Sequence, residues 1–103
     1  MGKDPMVSIL KAGRSSLLLW GADNLPHPHG EEIGLRASRL GLEDAIADWR
    51  HQHRHALARR SSFSMGGGIG IARVPRELAE ELARLIETYL KSAFDSLPIQ
   101  GEI

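Results

Sequence analysis

The feature that most constrains the fold of this chain is the amphipathic pattern of residues 75–96. The segment has the 3.6-residue repeat of a helix, with Pro75 in its first turn and acidic residues near its start. Its apolar positions span about 180° of the helical wheel, whereas a stripe of about 100° suffices for a surface helix. We therefore expect part of this apolar face to contact a second molecule, because a small sheet covers only part of the arc.

Two short runs near the start of the chain predict a β-hairpin. They cover residues 6–11 and 16–21, and a short segment containing Gly13 separates them. In the second run the letters LLLW place large apolar side chains on both faces of a strand. Both faces of that strand need cover, so we expect it in the interior of the sheet.

The middle of the chain supplies further elements of an α+β domain. Residues 32–38 fit a strand and a helix about equally, and we prefer the strand. Residues 42–60 have a helical apolar repeat, and residues 68–74 alternate as a strand does. The whole chain is thus expected to be one α+β domain, a small and mostly antiparallel sheet covered by the helices at 42–60 and 75–96.

The composition is that of a globular domain and excludes several kinds of chemistry. Of 103 residues, 42% are hydrophobic and 25% are charged, which suits one domain with a modest core. Thirteen Lys and Arg balance thirteen Asp and Glu, so no net charge attracts nucleic acid or an anionic membrane. The absence of cysteine excludes disulfides, thiolate metal sites and cysteine nucleophiles.

The sequence predicts neither a membrane segment nor a secretion signal. The longest apolar run, LLLW at 17–20, is far shorter than a membrane span, and no charged leader with a cleavage site precedes it. We therefore expect a cytoplasmic protein with no membrane partner. Residues 1–5, MGKDP, are expected to be disordered or foreign to the natural chain.

The stretch DWRHQHRHALARR, residues 48–60, contains candidate metal ligands. On a continuous helix Asp48, His51 and His55 share one face, and imidazoles at i and i+4 can bind one divalent ion such as Zn²⁺ or Ni²⁺. His27 and His29, in the loop HPHG, would add ligands if that loop lay beside the helix. The alternative is a solvated helix face with weak Asp–His pairing, which needs no cofactor.

The third histidine of this stretch has a different environment. His53 lies among the apolar positions of the helix, close to Trp49. We expect its ring to pack against Trp49 and its nitrogens to bond to a backbone group, as in a core or interface histidine.

Two other patterns resemble binding motifs but lack their defining residues. Arg50, Arg54, Arg59 and Arg60 could contact phosphates, yet acidic residues share their helix and no exposed aromatic residue lies among them to stack on a base. The stretch SMGGGIGIA lacks the third glycine of G-x-G-x-x-G, and no G-K-[ST] follows it. We interpret SSFSMGGGIG as a segment that ends the helix, and we do not expect binding of nucleic acid.

One local resemblance concerns IARVPRELAEELARLIE, residues 71–87, which is similar to the strand and first helix of ribbon-helix-helix DNA-binding proteins. Members of that family turn into a second helix soon afterwards. Here the apolar pattern continues through Leu90 and Ala93, so no role of the family is assigned to this chain.

These observations favour a non-catalytic interaction or regulatory domain that forms a homodimer through its C-terminal helix and can also bind another protein. The alternative is a divalent-metal protein or metalloenzyme that uses the Asp and His face, and a DNA-associated regulator is less favoured. The expected dimer contact consists of five large apolar residues of this helix, Leu82, Ile86, Tyr89, Leu90 and Phe94.

Overall fold

The computed structural model describes residues 6–21 and 28–97 and has an α+β architecture. Four antiparallel strands form one sheet in the order β1-β2-β4-β3, and the helices pack against it, so the predicted fold class is confirmed. The elements in chain order are β1 Val7–Ala12, β2 Ser15–Trp20, α1 Gly30–Arg39, α2 Leu42–Gln52, α3 Arg54–Leu57, β3 Ser62–Gly66, β4 Ile69–Pro75 and α4 Arg76–Asp95.

The N-terminal hairpin forms where the sequence predicts it. β1 pairs with β2 from Val7 opposite Trp20 to Ala12 opposite Ser15. The turn between the strands contains Gly13 at a φ of 65°, a conformation that glycine adopts without steric cost. β2 lies between β1 and β4, which confirms its predicted interior position.

The segment 32–38 is part of helix α1, so the preference for a strand is wrong. A strand would have placed Ile33, Leu35 and Ala37 on one face. In the structure Ile33 and Ala37 are fully buried, whereas Leu35 is 42% exposed, which is the spacing of a helix. Gly34 lets α1 approach the β3–β4 turn, because a Cβ at this position would lie 3.0 Å from the carbonyl oxygen of Gly68.

The predicted helix at 42–60 is interrupted at His53. α2 ends at Gln52, His53 has φ −109° and ψ 23°, and α3 continues for only four residues to Leu57. The carbonyl of Trp49 accepts a hydrogen bond from the His53 backbone N–H at 3.0 Å and from its ring Nδ1 at 2.9 Å. This local hydrogen bonding stabilises the end of α2 at the break between the two helices.

Strand β3 lies in the stretch that the sequence analysis interpreted as a break. It pairs with β4 through a two-residue turn, Gly67-Gly68, in which both glycines have positive φ, 62° and 85°. Two consecutive residues with positive φ are typical of the type I′ turn that joins strands in tight hairpins. The alternation of Phe63 and Met65 with serines, followed by consecutive glycines, was the sequence signal for this strand.

Helix α4 is the centre of the core. It packs against strands β1, β2 and β4 and also against helices α1 and α2. Because residues 32–38 are part of helix α1 and not a strand, the chain itself covers the part of the apolar face of α4 for which the sequence analysis expected a second molecule. Leu82, Ile86 and Leu90 are fully buried as a result.

Glu43 joins the start of α2 to two other segments. Its Oε1 accepts a hydrogen bond from the Ser38 hydroxyl at 2.7 Å, and its Oε2 accepts one from the backbone N–H of Gly68 at 2.9 Å. Since Gly68 is buried in the β3–β4 turn, the carboxylate bonds to an N–H group that water does not readily reach.

Replacing Glu43 with alanine is expected to lower the free energy of unfolding by about 2 kcal/mol, because a buried N–H group loses its acceptor. Asp44→Ala is the matched control, since Asp44 also lies in the first turn of α2 but is exposed. Urea unfolding monitored by circular dichroism measures both variants. Equal stability of the two would show that the bond to Gly68 contributes nothing.

Candidate functional site

The candidate site is the face of the sheet against which none of the described helices packs, here called the open face. Along β2 and β4 alternate residues are buried under the helices, among them Leu18, Trp20 and Val74. The residues between them point to the other side, as the pleat requires. The open face contains five large apolar side chains, Leu10, Leu17, Leu19, Ile69 and Ile71.

The register of the strands shows how these side chains are arranged. Leu10 pairs with Leu17, and Leu19 pairs with Ile71, so the apolar residues form one stripe that crosses three strands. Leu10, Ile69 and Ile71 are 56%, 44% and 40% exposed. The stripe therefore presents a continuous apolar surface, which is uncommon on a free monomer.

Polar residues border the apolar stripe. Ser8 pairs with Leu19 on one side, Ser64 pairs with Ile71 on the other, and Ser62 pairs with Arg73. Arg73 is the one charged strand residue of the open face, and no ion pair involves it in residues 6–21 and 28–97. An apolar centre with a polar rim is the usual composition of a protein–protein contact.

The residues predicted to form a dimer contact on the C-terminal helix are placed elsewhere. Leu82, Ile86 and Leu90 are buried in the core of the single chain, and Tyr89 and Phe94 are partly buried against it. The apolar face of α4 is thus occupied by α1, α2 and the sheet.

The candidate metal ligands are not brought together. Asp48, His51 and His55 are exposed, and the interruption at His53 removes the continuous helix on which their common face depended. His29 is also exposed, and His27 lies outside the described residues. Within the part of the chain that the structure describes, no group of three or more His, Cys, Asp or Glu side chains is arranged to hold a metal ion.

His53 has the environment expected from the sequence. Its ring stacks on Trp49 with 4.5 Å between ring centroids, and its Nδ1 bonds to the Trp49 carbonyl. Its Nε2 lies 3.4 Å from Oε1 of Glu81 on α4, which is an ion pair only when the ring is protonated. His53 therefore links the end of α2 to α4.

The four arginines of the predicted basic stretch do not act as one group. The Arg50 guanidinium lies 4.1 Å from the centre of the Phe63 ring, a cation–π contact, and Arg54 donates a hydrogen bond to the carbonyl of His51. Arg59 and Arg60 are exposed beyond α3. Two of the four thus have partners within the chain.

Comparison of this chain with models of protein families, with curated protein sequences and with solved structures gave no match. α4 runs unbroken from Arg76 to Asp95, so the two-helix arrangement of ribbon-helix-helix proteins is absent from the segment that resembled them. Among the described helices none is long and apolar enough to cross a membrane.

The sequence analysis missed the open face although a signal was present. Residues 69–74 alternate between two faces of a strand: one face carries the larger side chains of Ile69, Ile71 and Arg73, and the other carries Gly70, Ala72 and Val74. The small residues make room for the core instead: a Cβ at Gly70 would overlap the Trp20 indole. A strand with glycine and alanine on its inner face and isoleucines on its outer face indicates apolar contact on both sides.

Proposed function

We propose that this protein is a non-catalytic interaction domain that forms a homodimer through the open face of its sheet. The observation that carries the proposal is the uncovered stripe of Leu10, Leu17, Leu19, Ile69 and Ile71 on a sheet whose other face is buried by the helices. Large apolar patches of this kind mark association surfaces in soluble proteins. The proposal keeps the self-association inferred from the sequence and moves its contact surface from α4 to the sheet.

A second copy of the chain is the occupant that the pattern of the open face favours. A two-fold axis parallel to the strands would place β2 of one copy over β4 of the other, so that Leu19 of each copy packs on Ile71 of the other. The same axis places Arg73 of one copy opposite Leu17 of the other copy, and not opposite the other copy's Arg73. The two positive charges are then separated, and their side chains reach the serine-rich rim.

The size of the open face sets the strength of the expected dimer. Four strands about 4.8 Å apart and about six residues long give a face of roughly 19 by 20 Å. Two such faces bury on the order of 1,000 Å² of accessible surface, at the lower end of specific interfaces. We therefore expect a dimer with a Kd in the micromolar range, whose population depends on protein concentration.

Introducing a charge into the stripe is expected to produce monomers. Leu10→Glu and Ile71→Glu each place a carboxylate in the apolar contact, and each should weaken the dimer at least about tenfold, because a buried charge without a partner is strongly disfavoured. The measurement is sedimentation equilibrium of the wild type and the variants at about 100 µM, where a dimer with a Kd of about 10 µM is largely associated.

The matched control is Leu40→Glu. Leu40 follows α1, away from the open face, and is 52% exposed, close to the 56% of Leu10, so the chemical change is the same and the starting exposure is similar. We expect this variant to dimerise as the wild type does. A monomeric wild type at about 100 µM, or a Leu10→Glu variant that remains dimeric, would contradict the proposal.

A further inference from the structure

A second surface with a distinct chemistry lies at the end of the sheet where α4 begins. It is a cleft of about 530 Å³ on the helix-bearing side, lined by residues from β1, β2, the turn between them, the segment after α3 and the first turns of α4. Four of the lining residues are cations, Lys11, Arg14, Arg60 and Arg76. They come from four separate segments, and the fold brings them to one cleft.

These cations have little to neutralise them within the chain. Among the residues that the structure describes, none of the four takes part in an ion pair, and Arg76 alone has a side-chain hydrogen bond, to the carbonyl of Gly13 at 3.2 Å. Two carboxylates, Glu77 and Glu80, also line the cleft, which leaves two more cations than anions. Unpaired arginines in a cleft are available to a ligand that carries negative charge.

Ser16 is a second, independent sign of a ligand. It lines the cleft, is 2% exposed, and is the only buried polar residue that accompanies the apolar core of the described residues. Its hydroxyl makes no hydrogen bond within residues 6–21 and 28–97. It is open to the cleft, because the buried side-chain atoms that lack a partner among these residues are the indole nitrogens of Trp20 and Trp49. The rest of the Ser16 residue is buried, so its hydroxyl can bond only to solvent or to a group that enters the cleft.

The start of α4 adds a favourable field for an anion. The N-cap residue is Pro75, which provides no side-chain cap, and the N–H of Arg76 donates to the carbonyl of Arg14 at 3.0 Å. The helix then runs for 20 residues, so its positive end lies at the cleft. Helix N-termini beside cationic side chains are common binding sites for phosphate groups.

We infer that this cleft binds the phosphate group of a small phosphomonoester. Arg14, Arg60 and Lys11 would contact the phosphate oxygens, and the Ser16 hydroxyl would donate a hydrogen bond to one of them. Glu77 and Glu80 would accept hydrogen bonds from hydroxyl or amino groups of the same molecule, which disfavours purely anionic ligands. Among the described residues no aromatic side chain lines the cleft, so the ligand does not need a nucleobase.

This inference does not depend on the proposed dimer. The cleft lies on the helix-bearing side of the sheet, where Ser16 is buried, whereas the dimer contact uses the opposite face. Loss of the dimer in Leu10→Glu should leave phosphate binding intact, and loss of phosphate binding should leave the dimer intact. Failure of one proposal is therefore distinguishable from failure of the other.

The test is a titration of the full chain with inorganic phosphate and with glycerol 3-phosphate, followed by ¹H–¹⁵N correlation spectra. We expect saturable shifts of the amide signals of Ser16, Arg76 and Glu77, weaker binding at higher salt, and tighter binding of glycerol 3-phosphate than of inorganic phosphate. Arg60→Gln is expected to weaken binding about tenfold, since a charge-assisted contact is lost. Arg39→Gln is the control, because Arg39 is exposed at the end of α1, away from the cleft.

Ser16→Ala separates a binding role from a structural one. Because the Ser16 hydroxyl has no partner within the described chain, its removal should leave the melting temperature unchanged or higher while it weakens glycerol 3-phosphate binding severalfold. Lower stability with unchanged binding would give the serine a structural role and overturn the inference. Absence of saturable shifts in the wild type, or equal effects of Arg60→Gln and Arg39→Gln, would also overturn it.

Discussion

A Gly68→Ala variant is expected to lose at least about 4 kcal/mol of unfolding free energy, a large part of the stability of a domain of this size. Gly68 has a φ of 85°, and a Cβ placed on it would overlap the backbone carbonyl group of Gly34. Neither partner moves easily, because Gly34 is inside α1 and Gly68 is held by the carboxylate of Glu43. The substitution must therefore separate α1 from the β3–β4 turn.

Gly67→Ala provides the control within the same turn. Gly67 also has positive φ, 62°, but a Cβ at this position meets only the tip of the Leu35 side chain, at 3.9 Å, among the described residues. The expected cost is about 1 kcal/mol, which is the cost of the left-handed conformation for alanine. Urea unfolding followed by circular dichroism measures both. Similar losses in the two variants would show that the contact with Gly34 is not required.

This contact also explains where the interpretation of the sequence failed. Gly34 made the 32–38 pattern ambiguous because glycine weakens both helix and strand propensity. A tertiary contact explains the glycine at position 34, because it allows α1 to approach Gly68, which is distant in sequence. No local pattern reveals such an approach, whereas the hairpin and the C-terminal helix depend on local periodicity and could be predicted.

The error at α1 had a consequence for the candidate site. With a strand at 32–38, the wide apolar face of the C-terminal helix lacked cover within the chain, and a dimer contact was placed there. Once α1 and α2 cover α4, the uncovered apolar surface is the open face of the sheet, where Leu19 and Ile71 are paired neighbours. The cationic cleft could not be predicted either, because its cations come from four segments that are separate in sequence, and only the folded chain brings Lys11 and Arg60 to one cleft.

A Leu90→Glu variant is expected to unfold rather than to become a folded monomer. Leu90 is fully buried on α4, and its replacement removes a core side chain and places a carboxylate in an apolar environment. Large-to-small changes in cores alone cost about 2–5 kcal/mol, and an unpaired buried charge adds to that, so the expected loss exceeds about 5 kcal/mol. Lys91→Glu is the control, because Lys91 is the next residue and is exposed, and its cost should stay within about 1 kcal/mol.

Circular dichroism and size-exclusion chromatography of Leu90→Glu and Leu10→Glu distinguish the two positions proposed for the dimer contact. If the contact is the open face, Leu10→Glu retains its melting temperature and elutes as a monomer, because Leu10 is 56% exposed in the single chain. Leu90→Glu then loses its helical signal, because the core of the single chain requires that leucine. A folded, monomeric Leu90→Glu protein beside a dimeric Leu10→Glu protein would instead assign the contact to α4, since only a residue outside the core tolerates a carboxylate without unfolding.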